Sequence, residues 1–251
     1  MVVEAGTKSS EIIATLRKIP IKKRNTVLEV TLDMSNTMDA IITGAFPNAD
    51  IVIDRFHVQQ LVTDAVQEIR IAFRKKAIRA ENKAILLIRE KNKGKKKEEK
   101  ETYVPFVFDN EDTKKQLLAR SRYLLFKPST KWTEKQKERA VILFKEFPKL
   151  KHAYNLSMLF RSWYETNTNR EQAKIGLSQW YEKIEKEKIE PFLLAADSIK
   201  AYEDNILNYF NHRSTNAAAE SFNAKLKGFR ALVRGVTDVK FFLFRVAKLY
   251  G

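Results

Sequence analysis

Thr26-Val-Leu-Glu-Val-Thr-Leu-Asp33 and Ile51-Val-Ile-Asp54 are the two stretches that decide the fold. Each is an apolar, β-branched run that stops at an aspartate. Between them, Ser35 to about Ala45 carries helical spacing and Phe46-Pro-Asn-Ala-Asp50 reads as a turn. Strand, helix and strand in that order predict an α/β unit with an at least partly parallel sheet, since parallel neighbours need a crossover connection. Upstream, Val2–Ala5 reads as a further short strand, and a helix capped by Thr7 or Ser9 is expected to reach about Lys18. Ile19–Asn25, around Pro20, reads as polar linker.

From His57 onward helix dominates. Val58, Leu61, Val62, Ala65, Val66, Ile69 and Phe73 share one helical face, with Arg70, Arg74, Lys75, Lys76 and Arg79 mostly off it. The charge run Lys91–Glu101, with Gly94 at its centre, predicts a solvated loop or frayed helix end. Asp112 to Asn208 alternates apolar and charged residues in several helical blocks, and Thr133 with Gln136 matches a helix-start capping box. Near the end, Ser214-Thr215-Asn216 offers cap residues for a helix over Ala217–Lys227, closed by Gly228, and Val239–Tyr250 forms a last apolar block. Trp132, Trp163 and Trp180 are expected in the core, although a tryptophan face also suits stacking on an unpaired base.

Composition narrows the class. The chain has 251 residues, 47 Lys+Arg against 31 Asp+Glu, and a net charge of +16, which suits a polyanion such as nucleic acid. It has no cysteine, which excludes disulfides, thiolate metal sites and thiol nucleophiles. No apolar run approaches the roughly 18 residues that a bilayer span requires, and no secretory signal opens the chain. An intracellular protein, without membrane attachment, is the expectation.

Acids at the C-terminal ends of parallel strands point into the crevice where α/β sheets concentrate function, which makes Asp33 and Asp54 candidates. His57 follows Asp54 by three residues and is within reach of it if a helix begins near Arg55. Late in the chain, Asn216, Glu220, Asn223 and Lys227 are spaced to share one helical face. Such a face suits a hard cation or a phosphate, or else a plain solvated stripe.

These residues carry a resemblance. Val30-Thr-Leu-Asp-Met-Ser35, Phe46-Pro-Asn-Ala49 and Ile53-Asp-Arg-Phe-His-Val58 resemble the central block of DDE transposases of the ISL-three group, especially the ISAon-like enzymes. Arg120-Ser-Arg-Tyr-Leu-Leu125, Asn211-His-Arg-Ser-Thr-Asn-Ala-Ala-Ala-Glu-Ser-Phe-Asn-Ala-Lys225, Arg234-Gly-Val236 and Phe241-Phe-Leu-Phe-Arg245 extend it along nearly the whole chain. The resemblance implies a ribonuclease-H-like core with a large all-helical insertion, predominantly α overall, in which three acids hold two Mg²⁺ or Mn²⁺ ions. Carried over, Asp33 matches the second acid, Glu220 the third, and Asp54 with His57 the Asp-(x)2-His motif. Asp33, Glu220 and His57 are then the expected catalytic residues, with Asp33, Glu220 and Asp54 as metal ligands.

Residues 1–59 would be a partial core holding strands three to five, 60–205 the insertion, and 206–251 the helices that complete the core. No residue before Asp33 matches the first acid, so the expectation is a C-terminal portion, truncated and inactive or nearly so as this chain alone. DNA, as element ends and target, is the implied partner, in the bacterial cytoplasm at the nucleoid, with a possible homo-oligomer. Asn216, Asn223, Lys225, Lys227, Arg230 and Arg234 are the expected DNA contacts, to phosphates rather than bases. Two rival expectations are a non-catalytic DNA-binding remnant and a helical protein-interaction module.

Overall fold

A computed structural model of the chain describes residues 8–213, 217–233 and 238–250, the side chains of 217–220 and 250 excepted. The protein is predominantly helical with one small sheet. Two compact units divide it: residues 1–58, 167–174 and 199–251 form the first, and 59–166 with 175–198 the second. The strand-three stretch Val2–Ala5, the cap candidate Thr7 and the caps Ser214–Asn216 lie outside the described residues.

In the first unit, α1 (Ser9–Arg17) and α2 (Ile21–Arg24) precede β1 (Glu29–Leu32), α3 (Asn36–Ala45) and β2 (Asp50–Ile53). The strands pair in parallel, in the register Glu29↔Asp50 to Leu32↔Ile53, with α3 as the crossover. Val52 and Ile53 are fully buried, as β-branched residues under a helix-covered sheet should be. Two local expectations are corrected. Ser9 is the first helical residue and Lys8 holds the cap position, while the segment after Pro20 coils into α2. The fixed φ of Pro20 suits a helix entry, and Arg24 pins the short turn by donating to the carbonyls of Ile19 and Ala45. Arg17 donates to the Gly44 carbonyl (3.0 Å), and a methyl at Gly44 would meet the Ile13 side chain at 3.0 Å, so α1 lies close on α3.

The chain returns to this sheet much later. After α9 (Glu190–Ala201; its predecessors are given below), α10 (Glu203–Leu207) and α11 (Tyr209–His212) bring Asn208 to β2, where its amide donates to the Ile51 carbonyl at 2.9 Å. Asn208 also accepts from Arg170, and Arg170 grips Asp204 at 2.7 Å. Asn208→Ala is expected to leave both partners short of a bond and to cost about 1–3 kcal/mol in urea unfolding. The helices α12 (Ala217–Leu232) and α13 (Val239–Tyr250) end the unit. Here α12 runs on through Gly228 rather than stopping at it. A helical glycine costs only about 1 kcal/mol, and the next residue, Phe229, is buried and stacks on Phe242 at 5.6 Å. Arg245 lies over the Phe229 ring at 5.5 Å.

The second unit is built of helices and the loops between them, with an isolated bridge between Val107 and Thr113. It takes in most of α4 (Arg55–Lys91), then α5 (Lys114–Arg120), α6 (Glu134–Glu146), α7 (Pro148–Thr166) and the greater parts of α8 (Arg170–Glu187) and α9. Local signals explain the boundaries. Thr133 and Gln136 form the expected capping box, Gln136 N–H donating to Thr133 Oγ1, and α7 starts on Pro148, which has no N–H to leave unsatisfied. After α4, Gly94 takes a φ of +79°, and the Asn92 and Glu101 backbone–side-chain pair (2.8 and 2.9 Å) closes the charge run into a stitched loop.

The apolar face of α4 is buried at Val62, Ala65, Val66 and Ile69 as predicted, but Arg70 is buried with it. Its guanidinium donates to Gln67 (2.6 Å) and to the Leu118 carbonyl (2.9 Å). Burial pulls its pKa down, and the neighbouring Arg122 and Arg74 add to that. Arg70 is therefore a structural tie to the end of α5 and not a solvated cation. Trp163 and Trp180 are core residues, as expected. Phe160, fully buried, packs on Trp180 at 4.6 Å and on Trp163 at 5.2 Å, and the Trp180 indole donates to the Leu156 carbonyl.

Candidate active site

Because β1 and β2 run in parallel and in register, the residues that follow them, Asp33 and Asp54, leave the sheet side by side at its C-terminal edge. The Asp54 N–H donates to the Leu32 carbonyl at 2.9 Å, so the pairing continues one step past the strand. From there the two carboxylates diverge in environment. Asp54, at the entry to α4, is 3% exposed, and its carbonyl takes the first helical bonds, from His57 and Val58. The Asp33 side chain is 55% exposed.

His57, in the first turn of α4, reaches across to the neighbouring strand. Its Nε2 lies 2.8 Å from Asp33 Oδ1. An ionised carboxylate can only accept, so the imidazole carries the proton on Nε2 and donates it. The sequence had placed His57 within reach of Asp54. The structure pairs it with Asp33, because Asp54 is turned into the protein while the helix start swings the ring over the end of β1. Phe56, 59% exposed, stands edge-on to the imidazole at 5.7 Å.

Distant residues steady this edge. Arg55 donates to the Tyr209 hydroxyl at 3.4 Å, and the Tyr202 hydroxyl donates to Asn36 Oδ1 at 2.6 Å, at the start of α3. Tyr202 and Asn36 are 166 residues apart. No spacing rule could have paired them, and Tyr202, Asn208 and Tyr209 did not figure among the sequence candidates.

Asp39, in the first turn of α3, is a further acid that the sequence did not single out. Its Oδ1 is buried and accepts no hydrogen bond from a described residue, and burial pushes its carboxyl above the ordinary aspartate range. The folded protein thus holds this proton more tightly than the unfolded chain. Any cost of its charge is absent below the ordinary aspartate range and grows as pH rises through the folded value. Asp39→Asn is expected to raise the melting temperature at neutral pH, by less than roughly 4 °C, with the gain vanishing in acid.

Glu220 lies in α12, one turn before Asn223, and its side chain is outside the described residues. Asn223, Lys225, Lys227 and Arg230 are exposed along α12, while Asn216 and Arg234 lie outside the described residues. On α4, Arg74, Lys75, Lys76, Arg79 and Lys83 are exposed. Among the described residues no group of three His, Asp or Glu side chains converges as a metal cluster, and no helix is long and apolar enough to cross a membrane. What the described edge does offer is one open carboxylate, held by a histidine, with only oxygen to present outward.

The sequence pattern of the DDE family of the ISL-three group, described as a transposase, matches residues 1–246. No curated protein and no solved structure matches the chain.

Proposed function

The chain belongs to the DDE transposase family of the ISL-three group, and from that premise we propose that the Asp33 edge, joined by Glu220, is where it cuts and joins DNA strands. The observation that carries the proposal is the 2.8 Å bond between His57 and Asp33 at the end of two parallel strands. It fixes one carboxylate oxygen and leaves the exposed remainder of the group facing outward. Carboxylate oxygens are the donors that Mg²⁺ and Mn²⁺ accept, so Asp33 fits a divalent ion, with Glu220 as its partner acid. Asp54, buried beside it, is the less open of the two strand-end acids, and its bonds to the start of α4 support a part in building the edge.

When bound, such ions supply the positive charge that stabilises the oxygens of an in-line phosphodiester displacement. The chain's own residues have narrower tasks. Asp33 presents an oxygen where that charge is needed. His57 is a positioning residue, keeping the carboxylate in one orientation by donating Nε2–H to it. Exposed cations on α12 (Lys225, Lys227, Arg230) and, separately, on α4 (Arg74, Lys75, Arg79, Lys83) would hold phosphates without reading bases, Asn223 joining those of its own helix α12. In this reading β1, α3 and β2 belong to a ribonuclease-H-like core, residues 60–205 are a helical insertion and 206–251 complete the core.

The test is Mg²⁺- or Mn²⁺-dependent cleavage of element-end DNA by the transposase as its element encodes it, alongside binding of that DNA in EDTA. Cleavage lost in Asp33→Ala and Glu220→Ala, with binding retained, supports the proposal. Binding that is salt-sensitive but never followed by cleavage, in any variant, would leave a DNA-binding protein without this chemistry.

A further inference from the structure

The second unit holds an open cavity of about 650 Å³ that the strand-end site does not use. Its walls come from the segment before α6, from α6 itself and from the first turn of α7, and they divide by chemistry. Trp132 and Phe144, both half-buried, supply aromatic surface with ring centroids 6.2 Å apart, and Val141, 70% exposed, adds an apolar lip. Lys137, Lys145 and Lys151 stand around it, and no acidic side chain is among its lining residues. Lys137 is engaged with Glu134 at 2.8 Å, whereas Lys145 and Lys151 make no ion pair among the described residues.

Trp132 is what separates this cavity from an ordinary surface dent. The other two tryptophans are 5% and 3% exposed, sealed in the Phe160 cluster. Trp132 is anchored at one point, its indole N–H donating to the Leu124 carbonyl at 2.8 Å, and braced by Tyr154 at 5.4 Å. The anchor satisfies its only donor, so the ring can offer nothing further but its π surface. A π surface, an apolar lip and uncompensated ammonium groups around one cavity match a flat aromatic ring that carries an anion.

We propose that this cavity receives an unstacked nucleotide of single-stranded DNA, its base against Trp132 and Phe144 and its phosphate near Lys145 and Lys151. The choice of a nucleotide over other aromatic anions rests on the DNA reading above. Stacking is sequence-tolerant because every base has a π face, so the site would take strands without regard to base identity. It would favour DNA that is already unpaired, since a paired base has both faces occupied in the duplex.

The test compares a labelled oligo-dT strand and a blunt duplex by fluorescence anisotropy in EDTA, with 2-aminopurine placed within a second single strand as a stacking probe. Trp132→Ala and, separately, Val141→Asp are the variants. The second sits on the exposed lip, and its folding can be checked by thermal melting if loss of the Leu124 bond unfolds the first. Expected are roughly tenfold weaker binding of the single strand in each folded variant, a change of less than about twofold for the duplex, and quenching of 2-aminopurine that disappears with Trp132. Equal, small effects on both DNA forms, or unquenched 2-aminopurine in the unaltered protein, would overturn the nucleotide assignment and leave the cavity to a protein partner. Since no metal is present, failure here does not touch Asp33. A cleavage defect in Asp33→Ala with intact oligo-dT binding would equally leave this cavity standing.

Discussion

Asn in place of Asp33 is expected to reduce metal-dependent cleavage of element-end DNA by at least about a thousandfold, while DNA binding in EDTA stays within roughly twofold. Removing a group that stabilises developing charge in a water-poor site costs about two to three orders of magnitude even when it is neutral, and a carboxylate that holds the cation should cost no less. Glu220→Gln is expected to match it. His57→Ala should fall between, at about ten- to a hundredfold, which is what loss of a ligand's outer partner typically costs. His57→Gln, which can still donate to Asp33, should recover part of that. A readout independent of turnover comes from Mn²⁺ titration followed by electron paramagnetic resonance. Asp33→Asn should abolish tight binding, and His57→Ala should weaken it by a similar ten- to a hundredfold. Unchanged cleavage in Asp33→Asn would remove this edge from the chemistry altogether.

The largest stability effect is expected from Phe160→Ala. Phe160 is fully buried and touches Trp163, Tyr164 and Trp180, so truncation forfeits its own burial and opens a hole that three rings cannot close. A loss of about 3–5 kcal/mol follows, a large share of the roughly 5–15 kcal/mol that holds a typical domain together. Trp180→Phe should cost less, mostly through the lost indole bond to Leu156, worth about 1 kcal/mol. Urea denaturation measures both. A loss below roughly 1 kcal/mol for Phe160→Ala would mean that the cluster repacks and does not form the centre of this unit.

Much of the local structure was legible from spacing alone. The two runs ending in Asp33 and Asp54 are strands, the segment between them is a helix, and the buried face of α4 falls where its period placed it. The capping box at Thr133 formed because both of its bonds are made within one turn. The misreadings arose where a distant partner or burial overrode the local signal. The stretch after Pro20 looked polar and therefore open, yet Arg24 found carbonyl partners at Ile19 and Ala45 and folded it into α2. Gly228 looked like a stop, but the burial of Phe229 outweighed the modest cost of a helical glycine. Arg70 looked like surface charge until the Leu118 carbonyl, 48 residues on, gave it a place inside.

By itself the sequence determined the order of strands and helices, the positions of the acids at strand ends, the positive charge and the family. The first three follow from periodicity and residue type, which act over one or two turns of chain, while the family rests on motifs matched along residues 1–246. Only the tertiary structure decided that His57 serves Asp33 and not Asp54, that Arg70 is a tie, and that Trp132, alone of three tryptophans, keeps a half-exposed ring beside a cavity. Each of those outcomes depends on groups brought together from separate elements. Which groups meet is set by strand register and helix packing, and no spacing along the chain encodes that.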